Sequence, residues 1–245
     1  YSNPMNYAKY LYFLNENNEW YELVDLVVPE GITEIKDFSL MNVKSIKTIK
    51  LPNSVTLIGH HAFNGNSNLR EIYMSNAITE VKEYAFNSCE KLNSVYFSGT
   101  TKEWFSINFG YQANPTIYAT HIYFLDENNN WIEPSVVELS ENVTSIYNSL
   151  FVSFKNLEEV ILPATITYIG GQIIVNDEPI KKVYYLGTFD EWVTISMSSS
   201  YNPMYYSEHF YMLDENNEWY EPTNVVISEG VTEISVPLYS KKFPI

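Results

Sequence analysis

"VTLIGHHAFNGNSNLREIYMSNA" (residues 55–77) and "ITEVKEYAFNSCEKLNSVYFSGT" (78–100) can be laid over one another residue for residue. Three more stretches join them: "ITEIKDFSLMNVKSIKTIKLPNS" (32–54), "VTSIYNSLFVSFKNLEEVILPAT" (143–165) and "ITYIGGQIIVNDEPIKKVYYLGT" (166–188). Each is 23 residues long, and a sixth copy opens with "VTEI" at 231. The second position is threonine throughout, at Thr33, Thr56, Thr79, Thr144, Thr167 and Thr232. A period of this length marks a small structural unit that buries its apolar face only by stacking on its neighbours.

The apolar columns say how. In the 55–77 copy they fall on Val55, Ile58, Phe63, Leu69, Ile72 and Met74. Ile72 and Met74 flank Tyr73, which is strand alternation, and "VTLI" reads as a second, shorter extended piece. "HHAFNGNSN" reads as a turn or a single helical turn. Stacked, each buried large side chain contributes about 1.5–3 kcal/mol. The expected fold is therefore α/β and β-dominated, a solenoid with a parallel sheet along one side.

A second unit of 42 residues alternates with the repeats, at 101–142 and 189–230, and residues 1–31 match its last part. It carries "LNENNEW" (14–20), "LDENNNW" (125–131) and "LDENNEW" (213–219). Thr100 with Glu103, and Thr188 with Glu191, have capping-box spacing, so a short helix is expected there with Trp104 or Trp192 on its apolar side. Asn114-Pro115 and Asn202-Pro203 mark a turn. "HIYFL" and "HFYML", each followed by an acidic turn and "WIEP" or "WYEP", read as β-hairpins. The chain thus divides into a partial insert (1–31), three repeats (32–100), an insert (101–142), two repeats (143–188), an insert (189–230) and a truncated repeat or cap (231–245), all read as one solenoid.

The pattern VTxIxxxAFxxCxxLxxIxLPxS resembles the BspA-like leucine-rich repeats found on surface proteins of bacteria and some protozoan parasites. Ala85, Phe86 and Cys89 carry it almost whole, while Ile173-Ile174 and Gly170-Gly171 depart from it. The 42-residue unit resembles a Gly-Thr…Trp spacer seen among leucine-rich repeats of gut-type Gram-positive bacteria. The resemblance implies a secreted or cell-surface location and an adhesive role.

Composition narrows the partners. The chain has 245 residues, 45% of them hydrophobic, and a net charge of −16 with Arg70 its only arginine. That argues against nucleic acid and anionic membranes, which need clustered cations. No apolar run approaches the ~18 residues a membrane span requires. The first residue is Tyr1 rather than methionine, so the chain reads as a processed product or an excised piece. Cys89 is the single cysteine, which precludes an internal disulfide.

Sites follow from position within the repeat. Asp126, Asn128 and Asn130, and Asp214, Asn216 and Glu218, alternate as calcium ligands do. The sixth loop positions are Trp131 and Trp219 rather than glycine, and the twelfth are Val137 and Val225 rather than glutamate, so hairpin tips are expected and a weak cation site at Asp126 and Asp214 is the lesser reading. His60 and His61 have no recurring acid or nucleophile partner. His121 and His209 are equivalent positions that align with Tyr10. Catalysis needs a unique constellation, and none interrupts the repeats, so no enzyme and no cofactor are expected. The position just before the last strand residue points away from the core and holds Lys50, Tyr73, Tyr96, Ile161 and Tyr184. Lys50, Tyr73 and Tyr96 should form one outer row, and these three with Tyr184 are the candidate exposed-strand site for a protein or glycan ligand. The tryptophans of the 42-residue unit read as core. Asn142-Val143-Thr144 is a glycosylation sequon, relevant to a secreted eukaryotic chain. The function expected is a non-enzymatic extracellular recognition or adhesion module, with a structural spacer presenting another domain as the alternative.

Overall fold

A computed structural model describes residues 12–146, 150–151, 153–170, 180–197, 207–214, 216–222 and 227–235. They form two compact units, Tyr1–Glu133 and Pro134–Ile245. Each is a stack of repeats with one larger and one smaller parallel sheet.

In the first unit the larger sheet runs Asp25–Val27, Thr48–Lys50, Glu71–Met74, Ser94–Phe97 and His121–Leu125, all parallel, and ends on the antiparallel strand Trp131–Ile132. The smaller sheet runs Glu34–Ile35, Leu57–Ile58, Glu80–Val81 and Asn108–Phe109. The second unit repeats the plan. Val136–Glu138, Glu159–Leu162, Ile180–Tyr185 and Ser207–Leu213 are parallel, followed by antiparallel Trp219–Tyr220; Ser145–Ile146, Tyr168–Ile169 and Ser196–Met197 form the smaller sheet. An N-terminal hairpin pairs Tyr12–Leu14 with Trp20–Glu22.

The repeat columns are the core. Val55, Ile58, Phe63, Leu69 and Ile72 are fully buried and Met74 nearly so. Phe63 stacks on Phe86 at 5.3 Å, so one column continues from repeat to repeat. Backbone bonds tie each turn to the next, Thr56 N–H donating to Thr33 O and Thr79 N–H to Thr56 O, both at 2.9 Å. The recurring threonine adds a second link: the Thr79 hydroxyl donates to Thr56 O at 3.3 Å and the Thr167 hydroxyl to Thr144 O at 3.1 Å.

The helices α1 (Thr101–Ser106) and α2 (Phe189–Thr194) begin at complete capping boxes. Glu103 Oε2 accepts from Thr100 N–H at 2.7 Å while the Glu103 N–H donates to the Thr100 hydroxyl at 3.2 Å. Trp104 and Trp192 are buried, standing edge-on to Phe97 and Tyr185. Asn114 caps a 3-10 turn at Pro115–Ile117; Asn202-Pro203 lies outside the described residues. Besides helix and hairpin, the 42-residue unit supplies a solenoid turn of its own. Asn108–Phe109 extends the smaller sheet and His121–Leu125 the larger one, both in parallel. The hairpin's return strand then pairs antiparallel and covers the open sheet edge, an edge that would otherwise template further pairing.

Candidate recognition surface

In-register pairing aligns Lys50 with Tyr73, Tyr73 with Tyr96, and Tyr96 with Tyr123. The tyrosine rings are nearly parallel, with centroids 4.3 Å apart for Tyr73–Tyr96 and 4.8 Å for Tyr96–Tyr123. Those distances follow the spacing of adjacent strands, so the sheet itself imposes the stacking. Lys50 Nζ lies 5.1 Å from the Tyr73 ring centre, a cation–π contact at the end of the row. Trp131 stands edge-on to the row, 6.1 Å from Tyr73 and 5.3 Å from Tyr96. Ring faces are thus taken up by one another. What remains for solvent is a line of ring edges and hydroxyls.

The Tyr73 hydroxyl donates to Glu71 Oε2 at 3.3 Å. Partial burial, reinforced by the Glu71 carboxylate, pushes its pKa up to about 12. Burial and Glu133 raise that of Tyr123 as well. Both hydroxyls therefore remain protonated donors at any physiological pH.

Tyr184 does not join this row. It lies in the second unit, between Ile161 and Tyr211 in its own sheet, stacked on Tyr211 at 5.1 Å with Trp219 edge-on at 5.0 Å. The two arrangements are copies of each other. Tyr123 and Tyr211 escape a reading based on the 23-residue repeat, because they belong to the hairpin strands. The signal is the match of "IYM" and "VYF" in the repeats with "IYF" and "FYM" in the hairpins.

The hairpin tryptophans correct the expectation that these residues are core. Trp131 is 37% exposed, Trp219 43% and Trp20 70%. Each follows the hairpin tip on a strand whose outward side chains stand over the tyrosine row or in solvent. Only the helix tryptophans, Trp104 and Trp192, are core.

At the hairpin tips, Asp126 Oδ1 accepts from the N–H groups of Asn128 and Asn130, each at 2.8 Å, and Oδ2 from the Asn130 amide at 3.2 Å. Asp214 Oδ1 accepts from Asn216 and Glu218 at 2.8 and 2.9 Å. Asn15 does the same with a neutral oxygen, accepting from Asn17 and Glu19 at 2.9 Å. The fourth tip residue is left-handed each time, at Asn18, Asn129 and Asn217, as asparagine tolerates. Backbone donors hold the carboxyls of Asp126 and Asp214 below the usual range. Among the described residues no group of three or more His, Cys, Asp or Glu is placed to hold a metal.

Two further arrangements were not legible from single positions. His121 Nδ1 meets Glu133 across its hairpin, and His209 Nδ1 meets Glu221 at 3.2 Å across the equivalent one. On another side of the first unit, Phe38, His61 and Tyr84 occupy one repeat position and stack at 5.2 and 4.9 Å. All three have positive φ, of 58°, 52° and 58°, an unusual backbone for bulky residues. Backbone bonds hold them there: Phe38 N–H to His60 O and Tyr84 N–H to Tyr111 O at 2.9 Å, His61 N–H to Glu83 O at 3.1 Å. Burial, with His60 adding to it, lowers the pKa of His61. Cys89 is fully buried, its Sγ 3.4 Å from Phe63 O, and burial raises its thiol to about 12. It is a packing residue, not a nucleophile.

Among the described residues no helix is long and apolar enough to cross a membrane. The family described as BspA type leucine rich repeat region matches residues 17–119 and 128–202, in six copies. Among solved structures, a leucine-rich-repeat protein of T. pallidum is 19% identical, covering 74% of this chain and 85% of its own, with TM-score 0.36. A leucine-rich cell surface protein of Faecalibacterium prausnitzii is 18% identical over 73% of this chain and 64% of its own, with TM-score 0.30. A leucine-rich-repeat protein of Bacteroides ovatus is 12% identical over 80% and 67%, with TM-score 0.34. No curated protein matches the chain.

Proposed function

Because the chain belongs to the BspA-type leucine-rich-repeat family, we propose that it is a non-enzymatic, extracellular recognition module, borne on a cell surface or secreted, that adheres to host or bacterial macromolecules. The carrying observation is the Lys50–Tyr73–Tyr96–Tyr123 row with Trp131 beside it. Tyr73 and Tyr96 are half-buried, contiguous, and positioned by a rigid sheet. Their outward hydroxyls and ring edges suit a protein backbone or the hydroxyls of a glycan, and rigidity lowers the ordering cost of binding. Tyr184 with Tyr211 and Trp219 offers a second, smaller surface of the same design. The six-part division into repeats and inserts of one solenoid belongs to this reading, since regular turns are what present such rows.

One observation favours a second reading, a structural spacer that presents another domain. Trp131 and Trp219 stand on the tyrosines in the same way in both units, as seals would. Screening the chain against an array of glycans and matrix proteins separates the two. Recognition predicts specific binding that falls when Tyr73→Ala/Tyr96→Ala is tested with its fold intact. No binding anywhere on the array, or binding indifferent to that pair, favours the spacer.

A further inference from the structure

The acidity of the chain has a local exception among the described residues. The repeat position just ahead of the larger sheet's strands carries Lys47, Arg70 and Asn93 on successive turns. Arg70 N–H donates to Lys47 O at 2.8 Å and Asn93 N–H to Arg70 O at 2.9 Å, so the three follow one another along the stack. Lys91 Nζ donates to Asn68 Oδ1 at 2.8 Å, and the Asn68 amide donates to Lys44 O at 2.8 Å, which places Lys91 and Lys44 on either side of Asn68. Arg70, Glu71, Lys91 and Asn93 line an open groove of about 440 Å³. Lys44, Lys47, Arg70 and Lys91 are all exposed, and among the described residues none of them has a carboxylate within ion-pair distance. The carboxylates beside them are Asp25, on the strand paired with Thr48, Glu71, engaged by the Tyr73 hydroxyl, and Glu90.

The second unit supplies an internal control. At the repeat position of Lys47 and Arg70 it places Glu158 against Lys181 at 2.6 Å, and at the next position, that of Glu71, Glu159 against Lys182 at 2.8 Å. There, charges on successive turns alternate in sign and neutralise one another. In the first unit Lys47 and Arg70 sit on turns about 4.8 Å apart with like charge, which is unfavourable unless an anion lies between or over them. At physiological ionic strength the Debye length is about 8 Å, so the distant carboxylates of this acidic chain are screened and the local cations set the sign of the groove.

The geometry points to this groove as a binding site for an anionic polysaccharide, one whose sugars carry uronate or sulfate groups. Cations recur once per solenoid turn, a spacing comparable to one sugar ring. An extended acidic peptide would instead space same-face carboxylates two residues apart, roughly 6.6 Å. Asn68 and Asn93 stiffen the groove: Asn68 bridges Lys91 Nζ and Lys44 O, while Asn93 donates to the Ser94 hydroxyl at 3.0 Å and accepts from the Thr120 hydroxyl at 2.8 Å. The groove adjoins the tyrosine row through Glu71, which accepts from the Tyr73 hydroxyl, and the proposal stands whether or not that row recognises anything.

The test is titration of the full chain with heparin, polygalacturonate, poly-L-glutamate and neutral dextran at low and moderate salt. The expected result is binding of at least one anionic glycan, weakening as salt rises, with no binding of dextran. Lys47→Glu/Arg70→Glu should lower that affinity at least about tenfold, the loss of one or two charge-assisted contacts. Lys181→Glu/Lys182→Glu, with the same charge change in the second unit, should leave it unaltered. Thermal melts of both variants check that each remains folded. Absence of anionic-glycan binding, binding indifferent to the first variant, or equal loss in both overturns the proposal. Poly-L-glutamate binding as tightly as the glycans would overturn the assignment in favour of an acidic protein partner.

Discussion

Single residues show where this chain follows its repeat and where it departs from it. One core column holds Val43, Asn66, Cys89 and Phe154, all buried. Asn66 is fully buried, and both polar atoms of its side chain lack a protein partner. A buried amide without a hydrogen bond costs about 1–3 kcal/mol. Asn66→Cys, copying the next repeat, should therefore raise stability by roughly that amount, read as a higher denaturant midpoint; a lower midpoint would show that the amide is satisfied. The tip aspartates make a related point. Asn15 stands where Asp126 and Asp214 stand elsewhere and makes the same two bonds, so acceptor geometry rather than charge is what the turn uses. Asp126→Asn should preserve protection of the Asn128 and Asn130 amides against hydrogen exchange, whereas Asp126→Ala should abolish it. Calcium should move neither result.

At the scale of elements, stacked rings on successive turns recur on two sides of the first unit. In the Phe38–His61–Tyr84 stack, His61 alone titrates near neutrality, and its folded pKa is lowered. Above its ordinary value of about 6.5 the ring is neutral in both folded and unfolded chains, and nothing is lost. As pH falls below that, the unfolded chain takes up the proton first, so stability declines toward the lowered folded value. His61→Tyr, matching Tyr84, should remove this part of the acid sensitivity, measured as the change in midpoint between pH 7 and pH 5. Much of this level was legible beforehand. Apolar columns announce the core because each repeat must bury the same face, and Thr100 with Glu103 announces a helix start because few other pairs satisfy both end donors. What escaped has physical reasons too. Asn108–Phe109 is too short to show a period, and left-handed backbone at Phe38, His61 and Tyr84 is imposed by bonds from the next turn rather than by residue type. Recurrence alone assigns Trp131 to the core, yet recurrence serves an outer row as readily as an inner one.

For the molecule as a whole, repetition turns a local choice into a surface. One tyrosine per turn becomes a continuous row, and one cation per turn becomes a basic groove on an acidic chain. In each unit an antiparallel hairpin strand covers the sheet's last edge, and on the proposed division into repeats and 42-residue modules the length of each row is set by where a module interrupts the count. Family membership supplies the repeat fold; recognition is the role proposed for the rows. The decisive measurement is the glycan and matrix-protein array read with Tyr73→Phe/Tyr96→Phe beside the unaltered chain. Phenylalanine keeps the ring stack and the fold but removes the outward hydroxyls. A recognition row predicts a specific bound partner whose signal drops in this variant at an unchanged melting temperature. An unchanged signal, or no partner for either protein, would contradict the account and leave the tyrosines as a structural seal.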